Sequence, residues 1–373
     1  MKSRVPNLIF TVGLATLLIS CSDPVSTGGN VHGGPEHPAR DGSYTEAIVS
    51  ENGIAALEAV VLGGVEQWIL IRGHDVDNPV LIYLHGGPGS PAILYGRFAF
   101  GGLEERFTVV TWDQRGCGKS YSPTVDPQSI TLEHLMSDTR ELIAMMRARF
   151  ETDAVYLMGA SWGSVLGVFT ARDYPEMLRA YIGVGQFVDA ERTMRLAHAA
   201  ALDRATELGN QEAIDDLSTI QLYPEIEWDK WGVVVPWLEA FGFGDIHDAS
   251  LYTALIDSLT PATEYTSQDL ANRDEWEQLY WASPLNPNAD VAWVQGLDIS
   301  SQVPRLDVPV VFLSGRFDYK TPGELVEEYM STLAAPAGKQ MIWFENSAHA
   351  LFFEEREAFR SVLLTTVLAG AGG

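Results

Sequence analysis

One serine in this chain has the surroundings of a nucleophile: Gly159-Ala160-Ser161-Trp162-Gly163, directly after the apolar run 155–158. A serine hydroxyl attacks a carbonyl only when a base takes its proton and fixed donors receive the developing negative charge. A sharp strand-to-helix turn exposes the hydroxyl, and glycines on either side let strand and helix approach closely. A helix beginning behind Ser161 adds positive potential toward the oxyanion. The partners of such a serine follow in the order acid, then histidine. Asp318 lies in the turn after the apolar run 310–313, and His349 in the loop after the run 341–344. Of eight histidines only His198, His247 and His349 follow Ser161, and the first two fall outside the strand pattern. Asp307 precedes its apolar run, at the wrong end. Ser161, Asp318 and His349 are therefore the candidate triad. The N–H of Trp162 is one candidate oxyanion donor. Gly87, in His85-Gly86-Gly87-Pro88-Gly89, is the other. This set implies acyl transfer to water through an acyl-enzyme, with no metal and no cofactor.

The elements that must position these residues are legible as alternating patterns. Runs at 58–62 and 67–71 predict an antiparallel pair turning at Gly63-Gly64. Short apolar runs at 80–84, 107–112, 155–158, 180–184, 310–313 and 340–344 predict buried strands. Helical spacing appears at 132–150, 165–172, 324–333 and 352–367. Strand–helix alternation of this kind implies an α/β fold with a mostly parallel sheet flanked by helices. Its active sites gather at the carboxyl ends of strands, where Ser161, Asp318, His349 and the Gly87 loop are all expected. The alternation breaks at 187–301, which reads as an inserted, mainly helical cap. The core is then 44–186 with 302–373. Trp112-Asp113-Gln114-Arg115 follows another strand, and an Asp113–Arg115 pair is expected to brace the loops.

Formal net charge is −26 over 373 residues, which argues against nucleic acid as a partner. Lys2 and Arg4 precede an apolar run at 8–19 that ends at Ser20-Cys21. Residues 1–20 read as an export signal. The stretch 18–21 resembles a bacterial lipoprotein signal, which implies lipidation of Cys21 and anchoring to a membrane of the cell envelope. Residues 21–43, rich in Gly and Pro, then form a flexible tether. With Cys21 lipidated, Cys117 has no disulfide partner and reads as a small packed residue.

The three core motifs together resemble the proline iminopeptidase group of α/β-hydrolases. The resemblance rests on His85-Gly86-Gly87-Pro88-Gly89, on 113–120 (Asp-Gln-Arg-Gly-Cys-Gly-Lys-Ser) and on Gly159-Ala160-Ser161-Trp162-Gly163-Ser164. It covers residues 59–184 and 308–353 of the core. It implies release of an N-terminal proline from a short peptide, with cap acids holding the free amine. Glu225, Glu227, Glu239 and Glu264 are the candidate amine binders. The cap departs from the group's pattern: Gly183-Val184-Gly185-Gln186-Phe187 replaces an Arg-Gly pattern, and Gly232 follows Trp228-Asp229-Lys230-Trp231 where Glu is expected. A carboxylesterase, or a non-catalytic lipid-anchored binding protein, stays open beside the peptidase.

Overall fold

The computed structural model describes residues 42–223, 226–252, 263–286, 294 and 296–368. Eight strands form one sheet in the order β1-β2-β4-β3-β5-β6-β7-β8. They are β1 (Ile54–Leu62), β2 (Val65–Gly73), β3 (Val80–Leu84), β4 (Thr108–Asp113), β5 (Val155–Ala160), β6 (Leu178–Val184), β7 (Val310–Gly315) and β8 (Lys339–Phe344). β2 pairs antiparallel with both neighbours, and every other pairing is parallel. In the leading pair, β1 begins four residues before its apolar run and ends with it, and β2 is two residues longer than its run at each end. The turn of the pair is the expected Gly63-Gly64, with φ of 55° and 75°. Two consecutive positive φ values give the turn whose twist matches that of the flanking strands.

Strands β3, β4, β5 and β7 are buried along their whole length, because helices cover both faces. The period of two sorts their side chains into two cores. Val155 and Leu157 join one cluster with helices α2 (Leu132–Arg149) and α3 (Trp162–Asp173). Tyr156, Met158 and Ala160 join the other, with α1 (Ile93–Phe100) and the C-terminal helices. The expected last helix is broken. Leu351–Glu354 and Arg356–Val362 are separate, and Glu355 between them accepts from the Asn346 N–H and the Ser347 hydroxyl. Tying Glu355 to the His349 loop interrupts the helix there.

Between β6 and β7 the chain leaves the sheet. Helices α4 (Ala190–Leu208), α5 (Gln211–Ser218) and α6 (Trp231–Ala240) pack around Met194, Ala197, Leu217, Val234 and Leu238. Asp189 and Asn210 cap α4 and α5 through their side chains, and Gly209 ends α4 in the left-handed conformation. Two further helices, α7 (Ser267–Ala271) and α8 (Arg273–Trp281), return the chain over the loops that follow β3 and β4.

Candidate active site

The turn at Ser161 is made in a single residue. β5 ends at Ala160, α3 begins at Trp162, and Ser161 between them has φ 54° and ψ −120°. That backbone is strained for any residue with a Cβ. Three bonds hold it: the Ser161 N–H donates to the Val184 carbonyl at 3.0 Å, and its carbonyl accepts from the Ser164 N–H at 2.8 Å and the Ser164 hydroxyl at 2.5 Å. A Cβ on Gly159 would strike the Gly163 carbonyl, and one on Gly163 the Leu84 carbonyl. The flanking glycines are thus required by contact between β5, α3 and the end of β3. Relieving the turn has a measurable consequence. Ser161→Gly is expected to raise thermal stability by about 1 kcal/mol, strain relief of about 1–3 less the entropy cost of glycine. An unchanged or lower melting temperature would contradict the strain.

The loop after β3 is braced by the loop after β4. His85 is fully buried. Its Nδ1 bonds the Gly86 carbonyl at 2.8 Å, and its Nε2 accepts the Gln114 N–H at 3.0 Å. Burial pushes the imidazole down to about 4, so it is neutral with its proton on Nδ1. The Gln114 side chain donates to the His85 carbonyl at 3.1 Å and accepts the Trp162 indole at 3.3 Å. Gly87 and Trp162, the two candidate oxyanion donors, therefore sit on segments tied together through Gln114. Cys117 is buried, with its thiol on the Gln114 carbonyl at 3.2 Å, and burial pushes that thiol well up.

The expected Asp113–Arg115 pair does not form. Asp113 ends β4 while Arg115 lies within the turn 114–117 that the Cys117 N–H closes on the Gln114 carbonyl, and the two side chains take different partners. Arg115 makes a two-pronged bond to buried Asp138 on α2, 2.9 Å on each arm. Asp113 instead accepts the N–H groups of Ala92, Ile93 and Lys119 and the Tyr265 hydroxyl. Both acids still brace the site, through different partners.

Asp318 and His349 come together as the sequence predicts. The His349 Nδ1 lies 2.8 Å from Asp318 Oδ2, and Asp318 is 2 % exposed. The acid is held on both oxygens. Oδ1 accepts the N–H groups of Lys320 and Thr321 at 2.9 Å each, and Oδ2 also accepts the Thr321 hydroxyl at 2.7 Å. Thr321, three residues past Asp318, is a brace that the sequence signals only by that spacing.

Ser161, Trp162 and Gly87 line one cavity of about 240 Å³. Its far walls are aromatic and aliphatic: Phe187, Met194, Trp228, Trp231, Tyr280 and Trp281. The polar groups that reach it include Thr193, Glu277 and Lys320. The Thr193 hydroxyl is buried and has no hydrogen-bond partner among the described residues. Glu277 on α8 keeps one oxygen on Arg273 at 3.0 Å. The cap acids chosen from sequence are placed elsewhere. Glu264 is 1 % exposed, paired with Arg97 at 2.7 Å and bonded by Thr45, and does not line the cavity. Glu227 accepts the Gln221 N–H at 2.8 Å and is likewise absent from the walls, while its neighbour Trp228 is in them. Glu239 bonds the Asp245 N–H and Lys320. Glu225, and Cys21 with the tether to residue 41, lie outside the described residues. Among the described residues the carboxylate in the cavity wall is Glu277, which sits in a charged run (Arg273-Asp274-Glu275-Trp276-Glu277) that gives no reason to prefer it.

Comparison with known proteins agrees with this architecture. A family model described as the alpha/beta hydrolase fold matches residues 79–217. A probable aminopeptidase, YbaC of Bacillus subtilis, is 31% identical over 325 residues, covering 85% of this chain and 97% of that protein. A proline iminopeptidase of Heyndrickxia coagulans is 26% identical over 330 residues, covering 86% and 97%. The crystal structure of a proline iminopeptidase from Mycobacterium smegmatis superposes with a TM-score of 0.58 at 19% identity, over 85% of this chain and 99% of that one. This chain belongs to the α/β-hydrolase family, and its curated relatives include proteins named as aminopeptidases.

Proposed function

We propose that this protein is a serine aminopeptidase of the proline iminopeptidase type, working through an acyl-enzyme on Ser161. The observation that carries the reading is the meeting of three features in one place. A strained serine lines an aromatic cavity, Thr321 in the same wall bonds the acid of the 2.8 Å His349–Asp318 pair that follows β7 and β8, and among the described residues Glu277 is the glutamate in that wall.

Asp318 accepts the Nδ1 proton of His349 and so leaves Nε2 unprotonated as the base. Ser161 Oγ attacks the substrate carbonyl carbon while His349 takes its proton. The carbonyl oxygen gains the negative charge and is received by the N–H groups of Gly87 and Trp162. Collapse breaks the carbon–nitrogen bond, and His349 returns the proton to the leaving amine. Water then attacks the acyl-enzyme by the same route, releasing the acid and restoring Ser161. Glu277 supplies the counter-charge for a protonated N-terminal amine, and the tryptophans enclose an apolar first residue. The mainly apolar wall also suits a simple acyl ester, so the two substrate classes need separating by experiment.

Glu277→Gln separates them. It should lower kcat/KM for proline and other aminoacyl anilides by about 100-fold, the scale of one lost buried charge contact. Acyl esters without an amine should turn over as in the wild type. An equal loss on both classes would remove Glu277 from amine recognition, and absence of any anilide cleavage would leave the esterase reading.

A further inference from the structure

The segment 243–247 of the insertion is fastened to both loops that carry the acid and the histidine. The His349 N–H donates to the Gly244 carbonyl at 3.1 Å, and the Ala350 N–H to the Asp245 carbonyl at 2.8 Å. The Tyr319 N–H donates to the Phe243 carbonyl at 3.1 Å, and the His247 ring stacks on Phe317 at 3.5 Å. Within this seam lies a buried charge cluster. Lys320, whose N–H holds Asp318, places its ammonium 2.6 Å from Asp245 Oδ1 and 3.4 Å from Glu239 Oε1. Asp245 is 6 % exposed, and its Oδ2 has no hydrogen-bond partner among the described residues.

A half-paired buried carboxylate is expensive to keep. Backbone bonds alone would fasten the seam with an apolar residue at this position. We propose that Asp245 is a positioning residue of the catalytic machinery, which holds the His349 loop through its backbone and stabilises the His349 imidazolium through its carboxylate, with Lys320 as the counter-charge that limits the effect. The inference rests on His349 acting as the base, as proposed above.

The electrostatics are consistent with it. Burial pushes Asp245 up, but Lys320 and then His349 pull it down, leaving it below the ordinary carboxylate range and ionised at neutral pH. Lys320 is pushed down by burial and raised more strongly by Asp245 and Glu239, so it stays charged. The charged and titratable groups around His349 and Asp245 come from three directions. Asp318 and Lys320 come from the loop after β7. Asp245, Glu239, His247 and Tyr252 come from the insertion. Glu354 comes from behind, bonded to the Ala348 N–H at 2.6 Å and the His247 N–H at 2.7 Å. Of these, only Asp245 and Lys320 need be changed to separate the two signs of charge.

The test is the rate at which a fluorophosphonate probe labels the full-length protein, followed against pH. Asp245→Asn should label about tenfold more slowly at the plateau, with the acid limb displaced to lower pH by about one unit, because the imidazolium loses a negative neighbour. Lys320→Met should displace the limb the other way, to higher pH, because Asp245 is then uncompensated. Asp245→Glu should restore the wild-type limb. Unmoved limbs, or limbs that move in the same direction in both single variants, would overturn the proposal. If Asp245→Asn fails to fold, an unmoved or lowered limb in Lys320→Met does so alone. A wild-type protein that is not labelled would instead overturn the reading of Ser161 and His349, and this inference with it.

Discussion

Ser161→Ala should reduce kcat by about 10⁶-fold with little change in KM, as expected when a nucleophile that acts with its base as a unit is removed. The alanine keeps the Cβ and the strained backbone at φ 54°. The three bonds that fix the turn use only the backbone of residue 161, with the Ser164 side chain. Stability should therefore stay within about 0.5 kcal/mol of the wild type. A protein that melts normally and does not turn over separates a chemical role from a structural one. Turnover within tenfold of the wild type would show that another group attacks the substrate.

Asp318→Asn should cost about 10⁴-fold in kcat, and the hydrogen bonds say why. One oxygen of Asp318 faces the N–H groups of Lys320 and Thr321, which can only donate. The carbonyl of an asparagine must stay on that side, or two buried donors lose their acceptor. Its NH₂ is then forced toward His349 Nδ1. A donor there requires Nδ1 to accept, which moves the ring proton to Nε2 and removes the base that Ser161 needs. The Thr321 hydroxyl, 2.7 Å from the same oxygen and 3.2 Å from Nδ1, can turn to satisfy either ring form and does not correct the tautomer. The loss should fall on kcat and be measured by steady-state kinetics on a substrate that the wild type cleaves. A variant with half the wild-type kcat would mean that His349 is oriented by something other than Asp318.

What was legible in the sequence follows from how local each feature is. Buried strands announce themselves because helices on both faces demand unbroken apolar runs. Ser161 and Asp318, just beyond such runs, were legible for the same reason; His349 follows β8, which is an edge strand with Gln340 exposed and not the buried strand that its run suggests, so its order after Asp318 marks it instead. Helix α1 was not, because its start is capped from a distance. The Asp113 carboxylate accepts the N–H groups of Ala92 and Ile93 from twenty residues away, and no local cap marks the position. Arg115 could not be assigned its partner, since Asp138 lies on another element. The cap acids failed in the same way. Glu277 reaches the cavity because Trp276 and Tyr280 are buried and fix the rotation of α8, which a charged run does not reveal. Asp245 and Lys320 are 75 residues apart and meet only where the insertion crosses the β7 loop.

The most direct measurement is the site of covalent modification. The full-length protein is treated with a fluorophosphonate, digested, and mapped by mass spectrometry. A single adduct on Ser161, formed more slowly in the presence of a saturating excess of a substrate that the protein cleaves and reduced by orders of magnitude in Asp318→Asn, is the predicted result. An active preparation in which Ser161 stays unmodified would contradict the account.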